Sequence, residues 1–194
     1  MDNWSDLSEQ LKKLGVHFGK DNPLPVPTKK KKPIETLVPG HEFNTIFGKI
    51  FSSNHQYSDQ YQHGVAPLKP FTSYEVLCEW AQAPNLANCD ISDFIFLDTE
   101  TTGLSGGTGT IPFMIGAARF SGDQFLLEQF FLRNPSEEKA QLAALSKFVN
   151  GAKAIVSYNG KSFDLPIINT RFILNRLSNP FDEMEHIDLL HITR

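Results

Sequence analysis

Cysteine is almost absent: Cys78 and Cys89 are the only two in 194 residues. Two thiols are too few for a disulfide scaffold and lack the spacing of a zinc cluster, so a reducing, cytoplasmic setting is expected. Long apolar runs are missing too. No stretch of about 18 apolar residues occurs, and Met1 to Leu14 places Asp2, Asp6, Glu9, Lys12 and Lys13 where a leader would carry an apolar core. Secretion and membrane insertion are therefore not expected. Nor is positive charge in excess, because 18 Lys and Arg against 22 Asp and Glu leave a net charge of −4. That balance excludes a surface that tracks phosphates along its whole length, so any polyanion must be met locally. A P-loop is also wanting, since no glycine leads Gly160-Lys161-Ser162 at the required spacing and Gly106-Gly107-Thr108-Gly109 lacks the Gly-Lys-Ser/Thr order.

What is there is ordinary globular chemistry, 40% hydrophobic and 21% charged. The length suits one domain with an appendage, as domains commonly run to about 100–200 residues. Residues 1–40 read as an N-terminal helix and linker. Trp4, Leu7, Leu11 and Leu14 recur at helical spacing, then come several prolines and the solvated charge run Lys29-Lys30-Lys31-Lys32. Residues 41–92 read as an extension packed on or beside the core. Weak alternation through Phe43, Ile46, Phe47, Ile50 and Phe51 suits a short strand pair or an irregular cover, and a helix is expected between Ser73 and Ala83, ended by Pro84.

Residues 93–194 read as the principal domain. Asp93 to Thr99 is an apolar strand followed by a glycine-rich loop. Phe113–Phe120 and Phe125–Leu132 flank Ser121-Gly122-Asp123-Gln124 as a hairpin. Ser136 precedes a capped helix through Ala140, Leu142, Leu145, Phe148 and Val149, closed by Asn150-Gly151. Ala154–Tyr158 is the next buried strand. Asp164 opens a helix bearing Ile167, Ile168, Phe172, Ile173 and Leu177, and His186–Leu190 is a last strand. The order β-β-β-α-β-α-β predicts an α/β fold with a mixed sheet, three antiparallel strands followed by parallel strands, with flanking helices.

Asp98 and Glu100 lie two apart at the end of the first of these strands, so both side chains project to one face. Like charges held close need compensation, and a hard divalent cation such as Mg²⁺ or Mn²⁺ would supply it. A bare Asp-x-Glu equally suits a strand end fraying into solvent. A second signal joins it at Asn159 to Asp164, where another apolar strand turns into a helix that begins with an acid. Asp164 alone is an ordinary helix-start residue; beside the first pair it becomes a third candidate ligand, because open α/β folds gather sites at strand ends.

Phe96-Leu97-Asp98-Thr99-Glu100-Thr101-Thr102-Gly103-Leu104 resembles the first motif of the DEDD exonucleases, named for four acidic residues, and Asn159 through Asp164 resembles the second. Glu100 to Ile115, taken with Asn159-Gly160-Lys161-Ser162-Phe163-Asp164-Leu165-Pro166, is similar to the YprB-like branch of ribonuclease H-like proteins. The resemblance implies a ribonuclease H-like sheet and two-metal hydrolysis of phosphodiester bonds at a nucleic-acid 3′ end. Asp98 would bridge two ions, Glu100 would ligate one and place water, and Asp164 would ligate the other. Thr101, Thr102, Gly103 and Leu104 would lie beside the terminal nucleotide, and Asn159 would be either a contact or a turn-former. The family's fourth acid sits on a later helix, which is expected to be missing from a chain ending at Arg194. Asp188 is a further candidate, although it resembles the strand ahead of that helix, and His191 reads as structural or exposed. The alternative reading is a catalytically impaired nucleic-acid or partner-binding module that keeps the fold.

Overall fold

The computed structural model describes residues 32–58, 60–69, 74–103 and 109–193. Ile34–Arg194 form one unit and Met1–Pro33 another. The helix expected over residues 4–14, Lys29 to Lys31 and the Gly106-Gly107-Thr108 run lie outside the described residues.

The central feature is a sheet of seven strands. In chain order they are β1 (His41–Thr45), β2 (Gly48–Ser58), β5 (Phe94–Thr101), β6 (Pro112–Ser121), β7 (Gln124–Phe131), β8 (Ala154–Ser157) and β9 (Glu185–Asp188); β3 (Gln62–His63) and β4 (Ala66–Pro67) pair separately. Across the sheet the order is β1-β2-β7-β6-β5-β8-β9. β5, β6 and β7 run antiparallel, whereas β5-β8 and β8-β9 are parallel. This is a mixed α/β sheet of the ribonuclease H-like kind. The β6–β7 turn is as tight as the sequence implied: Ser121 pairs with Gln124, and Gly122 takes the positive φ of 58° that the reversal needs. Residues 41–58 enter the same sheet, because β2 pairs along β7 from Phe51↔Phe131 to Ser58↔Gln124.

The helices are α1 (Glu75–Trp80), α2 (Glu138–Val149), α3 (Asp164–Asn175) and the four-residue α4 (Leu189–Ile192). Strand alternation sends Ile95, Leu97, Ile115 and Phe130 into a core with Leu142 and Leu145 of α2 and Ile168 and Phe172 of α3. Phe94, Ala154 and Ile187 point the other way and pack with Cys78 and Leu86 beside α1. Arg171 of α3 and Glu138 of α2 form a largely buried ion pair that ties the two helices together, with Asn175 Nδ2 donating to Glu138 at 2.8 Å.

Several boundaries differ from the sequence reading for local reasons. Ser136 is not the cap ahead of α2; Asn134 is, accepting the Ser136 N–H at 3.1 Å at the start of a 3₁₀ turn that runs into the helix. α3 stops at Asn175 because Arg176 turns left-handed and the Leu177 N–H returns to Phe172 O, so Leu177 lies past the helix, and Ile173 is 74% exposed rather than part of the core face. β9 ends at Asp188, not Leu190, because the Asp188 side chain accepts the Leu190 N–H and starts α4.

Candidate active site

β5 and β8 are parallel, so their C-terminal ends share one edge of the sheet. At that edge β5 alternates strictly: Leu97 and Thr99 are buried, while Asp98 and Glu100 are exposed on the opposite face. The ladder then shifts between Glu100 and Thr101, where Pro112 on β6 offers no N–H. Beyond it Thr101 Oγ1 donates to Gly103 O at 2.9 Å, and Thr102 exchanges bonds with Ile111, donating through its N–H at 3.0 Å and accepting at Oγ1 at 3.2 Å. These bonds tie the end of β5 to Ile111, just ahead of β6. Leu104 lies outside the described residues.

Asp164 is the first residue of α3 and only 4% exposed. Its Oδ1 accepts the Thr99 hydroxyl, the side chain between Asp98 and Glu100 in sequence but on the face that α3 covers. Burial raises the Asp164 pKa. The Thr99 bond works against that shift, and the nearby Asp98 charge adds to it. The structure thus brings Asp164 to the strand end that carries Asp98 and Glu100, within electrostatic reach of Asp98. It does not draw the three carboxylates into a single cluster, and among the described residues no three His, Cys, Asp or Glu side chains gather at metal-holding distance. The reason is the two-residue period of the strand, which gives the exposed pair one face and Thr99 the other.

The second half of the site is a turn. Asn159 adopts a left-handed φ of 65°, the Ser162 N–H returns to Asn159 O at 3.3 Å, and the Leu165 N–H reaches Gly160 O at 3.0 Å. Asn159 is therefore a turn-former by its backbone. Gly160 sits so close to β8 that a Cβ there would meet Ser157 Oγ and, at 2.6 Å, Ser157 Cβ. Asp188 holds this turn from beneath. Only 2% exposed, it accepts the N–H of Asn159 at 2.7 Å, of Lys161 at 2.9 Å and of Leu190 at 3.1 Å. Burial favours the neutral acid, but the three N–H groups outweigh it and hold the Asp188 carboxyl below its usual range. Both oxygens are committed to the backbone, so Asp188 serves as a clamp and not as an open metal ligand. His191, exposed, approaches it at 3.8 Å.

Sequence reasoning missed three of these roles. Thr99 was legible only as the buried residue between two acids. Asp188 carries a helix-start signal ahead of Leu189-Leu190, where the apolar run by itself predicts continued strand. Nothing local announces that Ser157 Oγ lies 2.7 Å from His186 Nε2, where burial and then Lys161 push the imidazole pKa down to about 4. An open cleft of about 410 Å³ lies on the Asp98 face, lined by Asp98, Met114, Gln129, Ser157, Tyr158 and Leu189.

A family model described as RNase_H superfamily matches residues 95–194. The chain belongs to the RNase H superfamily. The matched span of this RNase H superfamily chain begins within β5 and takes in both candidate motifs. The chain is also 34% identical over 145 residues to the uncharacterized protein YprB of Bacillus subtilis, a match covering 72% of this chain and 34% of that protein. It therefore spans about a third of that relative's length. A YprB-like, ribonuclease H-like domain is what the sheet order and these likenesses describe together, and nucleic-acid-directed nuclease chemistry is the function to which the superfamily points.

Proposed function

We infer that this domain performs metal-dependent hydrolysis of phosphodiester bonds at a nucleic-acid 3′ end, as a 3′-5′ exonuclease. The observation that carries this reading is that two sequence-distant motifs bring Asp98 and Glu100, on one face of a strand end, and Asp164, on the other, to the same end of the sheet, with Asp164 within electrostatic reach of Asp98. Three carboxylates offer hard oxygen donors suited to Mg²⁺ or Mn²⁺. The raised pKa of Asp164, caused by burial and abetted by Asp98, is the kind of stress that a bound cation relieves. Asp98 and Glu100 would hold the metal from the open face, and Asp164 would join them only by turning its carboxylate away from the Thr99 hydroxyl. When bound, the ion supplies an activated water at neutral pH and a counter-charge for the leaving 3′ oxygen. The chain's own part is positional: Thr99 orients Asp164, Asp188 fixes the turn before it, and Thr101, Thr102, Gly103 and Asn159 would border the terminal nucleotide, where short side chains and backbone N–H groups allow close approach.

A second reading, a nucleic-acid or partner-binding module without catalysis, is favoured by two observations. Asp164 is already satisfied by Thr99, and Asp188 is spent on the backbone. Incubating labelled single-stranded and duplex DNA and RNA with Mn²⁺ separates the two. Stepwise release from the 3′ end, reduced about a hundredfold or more in Asp98→Ala, is the expected result. Cleavage that survives Asp98→Ala overturns the metal mechanism, and binding without cleavage by the unaltered chain favours the second reading.

A further inference from the structure

The turn that delivers Asp164 also presents a cation. Lys161 stands three residues before Asp164, and its N–H is bound at 2.9 Å to the buried Asp188, which also takes the Asn159 N–H at 2.7 Å. Close packing of Gly160 on Ser157 removes further freedom. The backbone of Lys161 is thus held by buried groups, yet its side chain is exposed. Lys49, Lys69 and Lys153 sit in ion pairs with Glu42, Asp123 and Asp93. Lys161 has no such pair among the described residues, and Asp188, which binds its N–H, has both oxygens taken by backbone donors.

Location gives this lysine its significance. It lies on the turn that follows β8, at the sheet edge that also carries Asp98, Glu100 and Asp164, and its charge is felt by the neighbouring His186. A polyanion approaching that edge of a chain with net charge −4 gains nothing from the overall field, so attraction must come from fixed local cations. We propose that Lys161 contacts a backbone phosphate of the nucleic-acid strand entering the site, an assignment that rests on the nuclease reading above. The contact is to the phosphodiester and not to a base, so it serves DNA and RNA alike.

The test measures binding of labelled oligothymidylate and oligouridylate, each of about 12 nucleotides, by fluorescence anisotropy with Ca²⁺ in place of Mg²⁺, between about 50 and 200 mM salt. Lys161→Ala is expected to weaken binding of both probes about three- to tenfold and to flatten the slope of log K against log salt by about 0.7, the value of one lost single-strand phosphate contact. Lys161→Arg restores both. Lys147→Ala, which removes an exposed charge from the last turn of α2, beside the Phe148 carbonyl that Arg119 of β6 binds at 3.1 Å, leaves both unchanged. If the unaltered chain binds, Asp98→Ala abolishes cleavage and Lys161→Ala alters neither affinity nor slope, the lysine assignment falls while the nuclease reading stands. A loss of affinity at unchanged slope also overturns it, since that is not the signature of a phosphate contact. Failure of the unaltered chain to bind either probe overturns both.

Discussion

At the scale of single residues, Thr99 and Asp164 decide how the site behaves without metal. A carboxylate that is nearly inaccessible and close to Asp98 is held by the Thr99 hydroxyl and by backbone groups of Thr99 and of Asp164 itself, yet burial still raises its pKa, so ionisation at neutral pH works against the fold. Asp164→Asn keeps an oxygen for the Thr99 hydroxyl and removes the charge. Its thermal midpoint in EDTA is expected to rise by about 2–5 °C, and the stabilisation by Mn²⁺ that the proposed metal site predicts for the unaltered chain is expected to be lost. A midpoint lower than that of the unaltered chain in EDTA would show that Asp164 contributes to the fold through its charge. The pairing of Asp98 with Glu100 was legible in sequence, because strand alternation is a property of neighbouring residues. That Thr99 would face Asp164 was not, since the two are 65 residues apart and meet only through the docking of α3.

At the scale of elements, the β1–β2 hairpin is the part least visible in sequence and consequential for solubility. Its alternation is broken by Ser52 and Ser53, both fully buried, and its turn carries Ile46 at 89% exposure, so apolar position and burial do not coincide. Its place is set by pairing with β7, a partner more than sixty residues away. Deleting residues 1–59 leaves β7 with an unpaired edge and uncovers part of the core that Ile50 completes. The deletion is expected to associate in a concentration-dependent way by size-exclusion chromatography with light scattering. A soluble monomer with an unchanged circular dichroism spectrum would show that the hairpin is dispensable. The strands and helices of residues 93–188 were, by contrast, largely legible, because each carries its own period and its own turn residues; the misplaced ends at Ser136, Leu177 and Leu190 all lie where a cap or a left-handed residue overrode the apolar pattern.

For the molecule as a whole, the response to acid follows from the groups buried under the turn. His186 is pushed from 6.5 to about 4 by burial and by Lys161. Between those values the unfolded chain takes up a proton that the folded chain refuses, so stability falls as pH drops through this window, by up to about 3 kcal/mol for this group. Asp188 acts lower down. Its depressed pKa makes its contribution fully present above the ordinary carboxylate value and lost as pH falls through the folded one. Urea titrations of the unaltered chain should show a declining free energy of unfolding from about pH 6.5 to 4. His186→Gln, which keeps a polar group for Ser157, should flatten that decline; an unchanged profile would refute the assignment.

The sequence by itself determined the element order of residues 93–188, their antiparallel-then-parallel strands, the two motif-bearing strand ends and the pairing of Asp98 with Glu100, all of them consequences of periodicities and turn chemistry that act over a few residues. Tertiary structure alone decided that Asp164 reaches Thr99, that Asp188 is spent on three backbone N–H groups, and that Lys161 is left outward-facing on a fixed turn. Those outcomes depend on which surfaces α3 and β9 bury against β5 and β8. Burial and hydrogen-bond competition are settled between segments distant in the chain, where no local pattern records them.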